Sequence, residues 1–271
     1  MSPEPELNLE PILDAIYRLY HYDFRAYSRS SVRRRLLLAC TQLGCADLGE
    51  LQAQLERDAS VFSRLLQFLT VQVSDLFRDP SFFVLMRQQI VPVLRTYPSL
   101  KLWIAGCSTG EELYSFAILL REEGLLDRCM LYATDINPEA LRRAESGIYP
   151  IDRVQAFSEN YRAAGGKGSL SQHYAARYDS VVFDRALRKN VVFADHSLAT
   201  DSVFAEVHIV SCRNVLIYFD HQLQDRAIGL MTDALCRRGF LGLGARESLQ
   251  FSAHKDAYVE LVPQERWFQK C

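Results

Sequence analysis

LKLWIAGCSTGEELYSFAILL, Leu100 to Leu120, is the stretch that decides the fold. It reads as a buried strand, a tight loop with glycines at Gly106 and Gly110, and an amphipathic helix. About one strand later LYATDIN closes a second apolar run on Asp135. Strand, small-residue loop, helix, strand and terminal acid form the unit that binds a nucleoside cofactor at the carboxyl ends of parallel strands.

The loop AGCSTGEE is neither the G-x-G-x-x-G dinucleotide fingerprint nor a Walker loop, since no Gly-Lys-Ser/Thr follows. A pyrophosphate needs unobstructed N–H groups at a helix N-terminus, and here the helix begins with Glu111 and Glu112. Carboxylates there complement the helix dipole but repel phosphate. They suit a cation, and S-adenosylmethionine has an ammonium, a sulfonium and no phosphate. The plain alternative is that both are ordinary first-turn acids. Asp135 could serve as a turn or N-cap acid, but Asn137 before Pro138 fills that cap equally well. That leaves Asp135 for ribose hydroxyls.

The chain has 271 residues, 49% hydrophobic, enough for one large domain or a main domain with a small partner. Its formal net charge of -2 gives no global basic field, so no nucleic acid is expected. Seven cysteines, mostly inside apolar runs, read as buried thiols of a reducing cytoplasm. Cys40 and Cys45 have no matching second pair, so no metal is expected. The opening MSPEPELNLEP is not a basic-then-apolar leader, and no run suits a membrane span.

Up to about Arg78 the pattern is helical. LEPILDAIYRLYHY sets Ile12, Ile16, Leu19 and Tyr20 on one face, and Ser30 or Ser31 offers an N-cap to the next helix. Pro80 suits a helical first turn. From Lys101 strands (KLWIAG, CMLYATD, KNVVFAD, EVHIVSC, GFLGLGA) alternate with helices (GEELYSFAILLREEG, NPEALRRAESG, HQLQDRAIGLMTDALCRRG). That alternation predicts an α/β fold, a mostly parallel sheet with helices on both faces. AYVEL and RWFQK can add a hairpin-like edge, and YRAAGGKGSLSQHYA reads as a loop or small insertion.

SCRNVLIYFD, Ser211 to Asp220, puts Arg213 and Asn214 where a strand end faces the cleft. By itself it reads as an arginine paired with a nearby acid and a core aromatic, Tyr218, with its hydroxyl at the rim. Together FRDPSFF, WIAGCSTGEELYSFAILL, YATDIN, ESGIYP, NVVFADHSL and SCRNVLIYF strongly resemble the CheR family, S-adenosylmethionine-dependent glutamate O-methyltransferases of chemotaxis receptors. The resemblance runs in order from about Tyr22 to about Leu249. It implies a class I methyltransferase domain (Rossmann-like) over residues 79–271, with a small antiparallel β insertion within about 165–193. A helical domain with linker, residues 1–78, precedes it.

The resemblance also assigns roles. Cofactor contacts fall on Gln72, Ser74, Arg78, Gly106, Glu112, Asp135, Ser197, Leu198, Cys212 and Arg213. Arg78 and Tyr218 match the residues nearest the reacting centre, and Arg33, Arg34 and Arg35 read as a docking site for Glu-rich receptor helices. His208 stands where the family often has an acid, and Glu247-Ser248 resembles the family's ending. The implied function is glutamate methylation on cytoplasmic chemoreceptor helices, leaving S-adenosylhomocysteine. The alternative is a CheR-like module that binds the cofactor and signals without turnover. A substrate carboxylate with a pKa of about 4.3 is already ionised near neutrality, so the reaction asks for alignment rather than a general base.

Overall fold

A computed structural model describes residues 8–271, so most of the opening segment, Met1 to Leu7, lies outside the described residues. Contacts divide the chain into two units. The first runs to Val71 and includes Tyr218–Arg226; the second holds Gln72–Ile217 and Ala227–Cys271.

Among the described residues of the first unit up to Val71, four helices follow each other: α1 (Glu10–Tyr20), α2 (Arg29–Leu43), α3 (Leu48–Arg57) and α4 (Ala59–Leu69). Asp47 and Asp58 start α3 and α4 by accepting from the N–H groups of Glu50 and Ser60. Ile12, Leu13, Ile16, Leu36, Leu51 and Leu65 are buried. The face expected for α1 needs one correction. Leu19 is exposed and Leu13 is buried, while Tyr20 stacks on Phe62 at 4.1 Å and donates to the Leu55 carbonyl. The N-cap of α2 is Ser28, ahead of the expected Ser30 or Ser31, because its carbonyl already accepts the first helical bond, from Val32 N–H at 3.0 Å, while its own N–H goes to the Tyr218 carbonyl at 2.8 Å. Asp220 N–H likewise bonds to Ala26 O, which ties residues 218–226 to this unit.

The second unit opens with α5 (Pro80–Leu85), a π turn over Met86–Ile90 and α6 (Val91–Leu94). Then come β1 (Leu100–Ala105), α7 (Glu111–Glu122), β2 (Cys129–Asp135), α8 (Pro138–Ser146) and β3 (Ile148–Pro150). They are followed by α9 (Val154–Ala163), β4 (Tyr174–Arg177), β5 (Ser180–Phe183), β6 (Val191–Asp195) and β7 (Val207–Cys212). The chain ends with α10 (His221–Ala234), which starts among residues of the first unit, β8 (Leu235–Leu243), β9 (Tyr258–Val262) and β10 (Trp267–Lys270).

Seven strands make one sheet in the order β6-β2-β1-β7-β8-β10-β9. β1 pairs in parallel with β2 and β7, and β10 runs antiparallel to both its neighbours. This is the class I methyltransferase sheet that the resemblance implied. The strand order reverses at β1, so the crevice opens at the carboxyl ends of β1 and β7. Leu102, Ile104, Leu131, Ala133 and Ile209 join Leu113, Phe116 and Leu120 of α7 in the core.

The small sheet, β3-β5-β4, is antiparallel and takes its first strand from Ile148–Pro150, upstream of the 165–193 interval. The helix expected through Gly239 stops at Ala234. Residues Leu235–Leu243 pair with β7 instead, with a register shift that accommodates Arg238 at φ 61°. Burying Phe240, Leu241 and Leu243 in the sheet outweighs the local helical pattern.

Candidate active site

The glycine loop joins β1 to α7, and Asp135 organises it. One Asp135 oxygen accepts from Ser108 N–H at 2.8 Å and the other from Asn137 N–H at 2.9 Å. Asn137 caps α8 through the N–H groups of Glu139 and Ala140, as its position before Pro138 predicts. Asp135 is therefore released from capping but tied to the loop. Burial pushes its carboxyl up to about 6, against the pull of backbone N–H groups and with a smaller push from Asp195. With the Ile136 N–H also turned toward it, about one of its roughly four lone-pair positions remains for another donor. Gly106 and Gly110 have φ of 71° and 93°, and a Cβ on Gly110 would lie 2.9 Å from the Ala144 backbone. The loop keeps this close approach only with glycine.

Glu112 and Arg213 form a second node. Glu112 accepts from Ser211 Oγ at 2.7 Å and from Arg213 Nη1 at 3.1 Å. Arg213 Nη2 donates to the Arg78 carbonyl and to Asp79 Oδ2, both at 2.8 Å. Its guanidinium lies 4.1 Å over the Phe82 ring, and Phe82 stacks on Trp267 from behind. Arg213 is thus a buried strut between β7, α7 and the segment before α5. The neighbouring Cys212 thiol is buried, and burial holds its pKa well above the usual thiol range.

Residues 72–78 form a strap without regular structure ahead of α5. Gln72 Oε1 accepts from Ser108 Oγ at 2.7 Å, which brings the strap onto the glycine loop. Phe77 N–H donates to Ser115 Oγ, and Asn160 donates to the Leu76 carbonyl. Arg153 Nη2 donates to the Ser74 carbonyl at 2.7 Å. Arg78 is half-buried, with a long contact of 3.5 Å from Nη1 to the Val73 carbonyl. Ser197 and Leu198 follow β6, whose Asp195 pairs in register with Asp135. Ser197 N–H is fixed by Asp201 at 2.9 Å and Leu198 is buried.

Within the second unit, hydrogen bonds join Gln72 to Asp135 through Ser108, Ser74 to Glu111 through Arg153, and Arg78 and Glu112 to Arg213. Tyr218 belongs to the first unit, where its ring lies 4.5 Å from the Arg35 guanidinium. The arginine run divides. Arg33 and Arg34 are exposed, but Arg35 is only 5% exposed and donates to the Leu69 carbonyl. Arg35 is corrected from a docking residue to a buried one, because it falls on the face of α2 that carries Val32, Leu36 and Ala39.

Sequence reasoning missed several organisers. Glu247, 4% exposed, accepts from the N–H groups of Asn214 and Gly244 and shapes the loop after β7. Arg153 and Asn160 reach the strap from α9 and the turn before it. For Glu247 the family-like ending was a visible signal; for Arg153 and Asn160 none was, because their partners lie some 80 positions away. His208 accepts the Lys101 N–H through Nδ1 at the far end of β1, away from these contacts. Among the described residues no group of three or more His, Cys, Asp or Glu could hold a metal.

The comparisons with known proteins agree with this geometry. The family model described as "CheR methyltransferase, SAM binding domain" matches residues 72–265, and "CheR methyltransferase, all-alpha domain" matches 7–70. A protein of Pseudomonas putida named "Putative methyltransferase Cher3" is 54% identical over 265 residues, covering 98% of this chain and 97% of that one. "Chemotaxis protein methyltransferase 2" of Pseudomonas aeruginosa is 30% identical, over 84% and 79% of the two chains. "Chemotaxis protein methyltransferase" of Listeria innocua is 28% identical, over 92% and 93%. With a class I sheet, a glycine loop held by the acid of β2 and both domain matches in place, the chain belongs to the CheR methyltransferase family.

Proposed function

We propose that this protein transfers the methyl of S-adenosylmethionine to glutamate side chains on the cytoplasmic helices of chemoreceptors. The observation that carries the cofactor half is the acid-lined loop. Glu111 and Glu112 open α7, and the Asp135 carboxylate underlies the loop. Even paired with Arg153 and Arg213, the Glu111 and Glu112 carboxylates occupy the first turn of α7 where a phosphate would bind, whereas a cationic nucleoside carries no phosphate to be excluded. The donor set therefore suits S-adenosylmethionine and its demethylated product. Asp135 would accept from ribose hydroxyls, Ser197 and Leu198 would flank the base, and Gln72, Ser74, Gly106, Glu112, Cys212 and Arg213 would complete the pocket. When bound, the cofactor supplies an electrophilic methyl group.

The chain's own residues orient and exclude water. Arg78 presents a guanidinium that can hold a substrate carboxylate bidentately, and Tyr218 offers a single weaker hydroxyl bond. Neither has to move a proton, because the substrate carboxylate is ionised already. Alignment of this kind lowers barriers by about 7–11 kcal/mol in favourable cases. The exposed Arg33 and Arg34 suit Glu-rich receptor helices. That relatives carry the name chemotaxis protein methyltransferase supports a substrate in chemotaxis.

The test is alkali-labile transfer of radiolabelled methyl from S-adenosylmethionine to a receptor cytoplasmic fragment. Transfer lost when the receptor glutamates are changed to alanine supports the reading. Binding of S-adenosylhomocysteine without transfer to any receptor fragment would support a signalling module instead.

A further inference from the structure

Arg153 ends the 3-10 turn Ile151–Arg153 and immediately precedes α9. Its guanidinium fork spans two parts of the pocket. Nη1 donates to Glu111 Oε1 at 2.6 Å, and Nη2 donates to the Ser74 carbonyl at 2.7 Å. Asp75 Oδ1 lies 3.3 Å from the same Nη2, and the Phe157 ring lies under the fork at 4.7 Å. Glu111 is 1% exposed, and its second oxygen accepts from Thr109 Oγ1 of the glycine loop at 2.7 Å. One buried carboxylate therefore links the loop, α7 and, through Arg153, the strap. The strap has no ladder or helix of its own, so side-chain anchors fix its path. Its Arg78 end is held separately, by Phe77 N–H on Ser115 Oγ and by Asn160 on the Leu76 carbonyl.

We infer that Arg153 is a positioning residue for the cofactor: it sets the Gln72–Ser74 part of the strap against the glycine loop, acting on binding rather than on the methyl-transfer step. This rests on the S-adenosylmethionine reading of the pocket. No atom of the substrate or the cofactor has to touch Arg153 for this role. A fork can serve both the Glu111 carboxylate and the Ser74 carbonyl at once, which an ammonium in the same place does poorly.

The experiment compares wild type with Arg153→Lys. Lysine keeps a charge facing buried Glu111, so no carboxylate is stranded. Calorimetry with S-adenosylhomocysteine is expected to show Kd raised about tenfold, the loss of one charge-assisted hydrogen bond. KM for S-adenosylmethionine should rise in step while kcat stays within about twofold, since Arg78 keeps its own anchors. Amide exchange over residues 72–76 should quicken without cofactor present. Wild-type affinity and wild-type exchange in a folded Arg153→Lys protein would overturn the positioning role. A wild-type protein that takes up no S-adenosylhomocysteine would instead overturn the cofactor reading itself.

Discussion

Four residues that are not glycine hold left-handed backbone in the segments that build the pocket: Phe77 at φ 49°, Asp79 at 55°, Ser108 at 51° and Asn214 at 61°. Each such conformation costs on the order of 1–3 kcal/mol and persists only where the surroundings over-determine it. Here they do: Phe77 N–H is held by Ser115, Ser108 N–H by Asp135, Asn214 N–H by Glu247, and the Asp79 carboxylate by Arg213. Phe77 and Asp79 flank Arg78, so the strain aims that side chain. Changing Arg78 to Ala is expected to cut turnover at least tenfold, and Tyr218→Phe to cut turnover while sparing S-adenosylhomocysteine affinity in calorimetry. Loss of binding in Tyr218→Phe would contradict its assignment. Asp135 gives a prediction in pH. With its folded pKa raised to about 6 by burial, the group's contribution to stability is complete below the ordinary carboxylate range and is lost as pH rises through 6. Ribose recognition runs the other way, because the acceptor is the ionised form. Affinity for S-adenosylhomocysteine should therefore fall up to tenfold per pH unit below about 6, and Asp135→Asn should flatten that profile at a weaker level. Calorimetry from pH 5 to 8 decides it.

At the scale of elements, sequence was most informative where a motif is local. The strand-loop-helix of β1 and α7, the Asn137 cap of α8 and Pro80 at the start of α5 all depend on neighbours within a few positions. The junction of α10 and β8 was misread because DALCRRG continues a helical pattern, while pairing with β7 is a long-range fact. The small sheet was misplaced for the same reason. Its first strand, IYP, is too short to show a period, and its partner β5 lies some 30 residues on. Glu247 shows how a single side chain can stand in for missing secondary structure. The loop after β7 is neither helix nor strand until the 3-10 turn Leu216–Tyr218, and its N–H groups at Asn214 and, more distantly, Ile217 turn to this carboxylate. Burial raises the carboxyl's pKa, with the N–H groups opposing. Glu247→Ala strands at least two buried donors at about 1–3 kcal/mol each, so a fall in Tm is expected, with S-adenosylhomocysteine affinity reduced as the loop relaxes. Thermal melts with and without S-adenosylhomocysteine would show both effects.

At the scale of the whole molecule, the near balance of 31 basic and 33 acidic residues hides an uneven placement along the chain. Arg33 and Arg34 are adjacent and exposed in α2, whereas Glu111 and Asp135, acids named in the pocket, are buried. The α/β class and the helical lead domain were legible because hydrophobic period changes near residue 100 and needs no tertiary knowledge. Which arginines reach solvent was not legible, since consecutive residues on a helix point 100° apart and only packing tells which one turns inward. That division makes the docking proposal specific. If α2 draws a Glu-rich receptor helix by charge, the attraction acts over roughly a Debye length, about 10 Å at 0.1 M salt, and weakens as salt rises. Methylation at sub-saturating receptor should slow with ionic strength through KM for the receptor, while S-adenosylhomocysteine affinity, which relies on buried contacts, should change far less. The double change Arg33→Glu/Arg34→Glu should raise that KM at low salt by at least tenfold and remove most of the salt dependence, because the residues that sense it are gone. Arg35, buried against Tyr218 and the Leu69 carbonyl, should behave differently: Arg35→Ala should lower Tm as well as rate, since it opens a packed site. A salt dependence that survives intact in the Arg33→Glu/Arg34→Glu protein would place the docking charge elsewhere.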